Sequence, residues 1–137
     1  SARGRAVIDG CLGDHFSSLG TCETFPVTLE IEDGITKSLK CEARPALERE
    51  LVAYIHQDEH ANRVGEFAIG TNIGLDRIIR NLLHDEKFPG VHIALGHGDP
   101  EKTGSPWHSE AHIDLVMREV TIEIDGNAIM RDGKFLI

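Results

Sequence analysis

Five of the chain's eight histidines, His84, His92, His97, His108 and His112, crowd into one stretch. Imidazole is a base and a metal ligand near neutral pH, so their placement bears on chemistry. Two of them fall on segments that read as strands. In Val91-His92-Ile93-Ala94-Leu95, the bulky Val91, Ile93 and Leu95 share one face and leave His92 on the other, beside the small Ala94. In His112-Ile113-Asp114-Leu115, Ile113 and Leu115 go to the core while His112 and Asp114 project together. An i, i+2 His/Asp pair can converge on one ion, and His92 from a neighbouring strand would complete two imidazoles and a carboxylate. That donor set suits Zn, Fe, Mn or Co. The same spacing also describes a wet sheet face that merely carries polar residues, and spacing alone leaves both readings open.

His56-Gln57-Asp58-Glu59-His60 fits H-x-x-E-H, an inverted zinc-protease pattern. Its helix, however, turns Leu47, Leu51, Tyr54 and Ile55 inward, whereas His56 and His60 align with Arg49, Ala53 and Arg63. That is the solvated stripe of a helix end, where histidine also suits the dipole. His15, His84, His97 and His108 are most economically read as surface or loop residues. Gly96-His97-Gly98 and the glycines near Gly70 lack the order of a phosphate loop. Trp107 and Phe88 read as pocket rim or packing plugs. Cys11, Cys22 and Cys41 contain no CxxC pair, so buried or half-buried thiols in a reducing cytoplasm are expected rather than disulfides.

The elements that must hold these residues are mostly strands. A short strand over 5–9 is followed by a loop over 11–25. Residues 26–32 and 35–41 alternate around Asp33-Gly34, a hairpin signal because both turn positions need positive φ. Pro45 opens a helix expected to run to Ala61 or Asn62, and Leu75 to Leu83 reads as a second, shorter one on Leu75, Ile78, Ile79 and Leu82. Strands are expected at 66–69, 91–95 and 111–117, with a loop over 96–110. A closing meander through Asp125-Gly126 and Asp132-Gly133 carries the chain to Ile137. The fold class is α+β, mostly antiparallel sheet or a barrel-like sheet, with one long and one short helix.

The 137 residues fit a single domain spanning 1–137. A net charge of −9 argues against nucleic acid or an anionic membrane surface as partner. No apolar run approaches the roughly 20 residues of a bilayer span. The start at Ser1 lacks both Met and a secretory apolar region, which reads as a cytoplasmic chain that is processed or a piece of something longer.

Four short motifs occur in the order found in one family. They are Gly65-Glu66-Phe67-Ala68-Ile69-Gly70-Thr71-Asn72, Asp85-Glu86-Lys87, Gly90-Val91-His92-Ile93-Ala94-Leu95-Gly96 and His112-Ile113-Asp114. With the Asp-Gly turns in register, the chain resembles the C-terminal, metal-carrying part of the aminopeptidase T family of thermophilic metallo-aminopeptidases, M29. The resemblance implies a homodimer with a two-ion Zn, Co or Mn centre that removes N-terminal residues from peptides. It implies Glu66, His92, His112 and Asp114 as metal ligands and assigns no catalytic residue beyond them. A further family glutamate would precede Ser1, in the rest of a longer chain. The family's tyrosine, seven residues after the strand histidine, corresponds to Asp99. Two histidines and one aspartate also match a mononuclear Fe(II) ring-cleaving dioxygenase of the dihydroxypyridine type, similar to the same family. That enzyme would take a small-molecule substrate, and a non-catalytic structural domain is the third reading.

Overall fold

The computed structural model describes residues 2–79 and 81–136, without the side chain of Leu82. Strands β1 (Gly4–Ile8), β2 (Val27–Glu32) and β3 (Ile35–Lys40) form one antiparallel sheet in that order. A second sheet is β4 (Val64–Gly70), β5 (Gly90–Gly96) and β6 (His112–Met117), again antiparallel. The third is the meander β7 (Ile122–Ile124), β8 (Asn127–Arg131) and β9 (Lys134–Phe135). Ile137, to which the sequence reading carried the last strand, lies outside the described residues, as does Ser1.

The Asp-Gly pairs turn as their chemistry dictates. Asp33, Asp125 and Asp132 have φ of 51°, 52° and 48°, and Gly34, Gly126 and Gly133 follow at 74°, 79° and 72°. Two successive positive φ values match the twist of a tight hairpin. In β2, Val27, Leu29 and Ile31 are buried while Thr28, Glu30 and Glu32 alternate outward. They pack with Ile8, Leu12, Leu51, Leu95, Ile113 and Leu115 in a core that spans the first two sheets.

Residues 10–13 join those sheets. Gly10 N–H donates to the Val116 carbonyl at 2.9 Å, Val116 N–H to the Cys11 carbonyl at 3.0 Å, and Gly13 N–H to the Asp114 carbonyl at 2.8 Å. The chain leaving β1 thus lies along the free edge of β6. The loop expected over 11–25 also contains a 3-10 helix, Asp14–Leu19.

Both helices end differently from the periodicity. Helix α1 (Pro45–Tyr54) starts at Pro45 and buries Leu47 and Leu51, but turns replace it before Asn62. Asp58 explains the stop, because its carboxylate accepts the His60 N–H at 2.9 Å and holds Ser109 and Glu110 from a distant loop. Such side-chain bonds offer the backbone an alternative to the helix. The second helix is only α2 (Leu82–Asp85). Residues 75–79 stay outside it, and the Ile79 N–H bonds to the Asp85 carboxylate at 2.9 Å instead. Arg80 and the Leu82 side chain, both inside the expected helix, lie outside the description. A four-residue helix, α3 (Pro100–Thr103), interrupts the loop expected over 96–110. Among the described residues there is no closed barrel, so the barrel-like alternative gives way to three separate antiparallel sheets. Among the described residues, no helix is long and apolar enough to cross a membrane.

Candidate metal centre

Strand register brings the site together. Across the second sheet, Glu66 of β4, Ala94 of β5 and Asp114 of β6 form one row. His92 occupies the next row of the same face, between Ala68 and Val116, and His112 pairs with Gly96 on the other side. Small residues at the centre of β5 let the polar side chains lean over them from three strands. One ligand atom each from Glu66, His92 and Asp114 lies within 4.8 Å of the others.

This face is not the wet one that spacing left open. His92 is 7% exposed and Asp114 6%, whereas the Glu66 side chain is 40% exposed. Burying a carboxylate and an imidazole is costly unless partners replace the lost water. His92 Nε2 stands 3.2 Å from Glu66 Oε1, and its buried Nδ1 has no hydrogen-bond partner among the described residues. His112 is at the rim, 43% exposed at its side chain, with Nε2 3.5 Å from Asp114 Oδ2. Its Nδ1 is 2.7 Å from the His97 carbonyl. Nδ1–H therefore donates to that oxygen, and the protonated ring donates Nε2–H to Asp114; Nε2 is the nitrogen a bound cation would claim in place of that proton, with Nδ1–H held by a carbonyl as in metal-bound histidines.

The electrostatics agree. The His112 imidazole is pushed up to about 9, first by its hydrogen bond to Asp114, with the His97 carbonyl and the charges of Asp114 and Glu66 adding and burial opposing. Two carboxylates facing two imidazoles thus favour positive charge at this point, and the donor set fits a divalent cation. All four residues expected as ligands lie on this face, with Glu66, His92 and Asp114 in the cluster and His112 at its edge.

Beside them opens a cleft of about 430 Å³ lined by Glu66, His92, Thr71, Asn72, Glu86 and Lys87. Thr71, Asn72, Glu86 and Lys87 had no ligand spacing to mark them. Their only signal was membership of the motifs around Gly70 and Asp85.

The remaining histidines sort differently from expectation in part. His56 is exposed, with Nδ1 2.8 Å from the Val52 carbonyl, and His60 faces Trp107 at 6.5 Å between ring centroids. Neither joins the cluster. His84, expected at the surface or in a loop, is half-buried in α2, with Nδ1 3.0 Å from a fully buried Asp85. His97 is half-buried too and stacks on His108 at 5.2 Å. Trp107 donates its indole N–H to the Gly96 carbonyl at 3.0 Å, which makes it a plug at the end of β5. Phe88 lines a separate cleft of about 510 Å³ with Ile73, Pro89 and Phe135. Asp99, at the family's tyrosine position, stands at the residue before α3 and pairs with Lys102 at 2.5 Å. All three cysteines are buried and free.

Carboxylates and imidazole converging on one sheet face are a donor set that could hold a divalent metal ion. The thermophilic metalloprotease (M29) family matches residues 23–135, and the chain belongs to that family. No curated protein matches the chain in sequence. A solved structure of 2,5-dihydroxypyridine dioxygenase from Pseudomonas putida KT2440 superposes with a TM-score of 0.74 at 19% identity. The alignment covers 98% of this chain and 40% of that one. At this identity the likeness shows the fold alone, and the chain spans less than half of that protein's length.

Proposed function

We propose that the chain is a metal-dependent aminopeptidase, or the metal-carrying part of one, that removes N-terminal residues from peptides. The observation that carries this reading is the convergence of Glu66, His92 and Asp114 within 4.8 Å, in a chain of the M29 family. These three residues would hold the cation, with His112 closing the set from the rim. Their mixed oxygen and nitrogen donors suit Zn, Co or Mn. A divalent ion bound there supplies an activated water and polarises a carbonyl. The chain's own residues supply the rest. The half-exposed Glu66 carboxylate borders both the buried cluster and the cleft, so a scissile carbonyl seated at the cleft mouth lies against the ligand set. Thr71 and Asn72 offer hydroxyl and amide groups to a peptide backbone. Glu86, on the cleft wall, pairs with Lys87 at 3.0 Å, and the free ammonium of a peptide N-terminus would compete with that lysine for its carboxylate.

Metal content and hydrolysis of leucine p-nitroanilide, measured on the purified chain with and without chelator, test the proposal. The expected result is bound Zn, Co or Mn and a chelator-sensitive release of p-nitroaniline. One Fe(II) with cleavage of a dihydroxypyridine ring would replace this reading by the dioxygenase. The two histidines and one aspartate would serve either enzyme, and the M29 family match does not favour that alternative.

A further inference from the structure

We propose that Tyr54 is a positioning residue for the metal centre, holding the strand entry that carries His112 and Asp114. The proposal rests on the metal reading of that face and adds to it a residue outside the ligand set. Tyr54 is the only tyrosine in the chain and sits at the last position of α1. Its hydroxyl accepts the His112 N–H at 3.0 Å and donates to Asp14 Oδ2 at 2.5 Å. A contact of 3.3 Å to the His112 carbonyl is longer, and a phenol has one proton, so Asp14 takes it.

Asp14 in turn follows Gly13, whose N–H donates to the Asp114 carbonyl at 2.8 Å. A Cβ on Gly13 would come within 2.9 Å of Asp114 N and 3.2 Å of Asp114 Oδ2. Two consecutive residues therefore grip the ligand strand at both of its donors. Gly13 holds Asp114 directly, and Asp14 holds His112 through the phenol. The first residue of a strand is where pairing ends, and the Tyr54 bond fixes the backbone there. The His97 carbonyl fixes the same residue's ring from the other side. The Tyr54 ring is itself held, edge-on to Phe16 at 5.6 Å and 5.2 Å from His15. Burial and the bond to Asp14 push the phenol up to about 12, so it stays a neutral donor across the working range.

The test is a Co(II) titration of the purified chain and of Tyr54→Phe, which deletes both hydrogen bonds and keeps the ring. The readouts are the dissociation constant and the visible d–d spectrum of bound Co(II), alongside thermal unfolding without metal. Loss of an outer partner of a ligand typically weakens metal binding by about 10–100-fold, and that loss, with a changed spectrum, is expected. Asp14→Asn keeps an acceptor oxygen and is expected to bind as the parent does, whereas Asp14→Ala is expected to behave like Tyr54→Phe. Should Tyr54→Phe fail to fold, Asp14→Ala carries the same comparison. Variants that unfold earlier yet bind Co(II) with the parent's affinity and spectrum would reduce Tyr54 to a packing role and overturn the proposal. A parent chain that binds no Co(II) overturns the metal reading itself, a distinguishable outcome.

Discussion

His92 and Asp114 are the residues on which the metal account turns, because they are buried where polar groups must be satisfied. A solvated sheet face would leave both in water, and neither is. His112 differs, being anchored by its Nδ1 contact to a carbonyl and left with one nitrogen toward Asp114. The cysteines are the opposite case. Burial pushes the Cys11 and Cys22 thiols up to about 12 and raises Cys41 as well. A thiol held neutral in this way is a poor nucleophile. All three are therefore expected to resist Ellman's reagent at pH 8 in the folded chain and to react once urea unfolds it. For Cys11 and Cys22 the folded value lies above the ordinary 9, so their contribution to stability is fully present below pH 9 and is lost as pH rises through 9 toward 12. Denaturant midpoints measured across that range should fall, and midpoints that hold steady would contradict the burial.

At the scale of elements, β5 does the positioning, and it was the most legible part of the sequence. Val91, Ile93 and Leu95 against His92 and Ala94 gave the face before any coordinates, and the Asp-Gly turns gave the hairpins. Ala94 has the sharper consequence, because its methyl lies in the row between Glu66 and Asp114. Ala94→Leu should fill that gap, weaken cation binding at least about tenfold, and cost roughly 1–3 kcal/mol of stability from overpacking. Isothermal titration and thermal unfolding would check both, and unchanged affinity would mean that the row is not where the cation sits. What periodicity misread were helix ends. Asp58 pulls the chain out of α1 by bonding to Ser109 and Glu110, and Asp85 takes the Ile79 amide. The Asp58 partners lie 51 and 52 residues along the chain, invisible to a local pattern, and a side-chain bond such as that of Asp85 leaves no mark on apolar periodicity. The cleft residues Thr71, Asn72, Glu86 and Lys87 come from loops for the same reason, and only the family resemblance pointed near them.

Across the whole molecule, the site depends on a join between sheets. Residues 10–13 leave the first sheet and run along β6 of the second, so the core that the two sheets share also sets the backbone of Asp114. Part of the −9 charge belongs to this face, where Glu66 and Asp114 meet two imidazoles. The most direct test of the account is metal stoichiometry after dialysis against Zn(II) or Co(II), compared between the parent chain, His112→Ala, Asp114→Asn and His56→Ala. A metal centre on this face predicts that the parent and His56→Ala retain metal while His112→Ala and Asp114→Asn lose it. Equal retention by all four, or equal loss in His56→Ala, would contradict it.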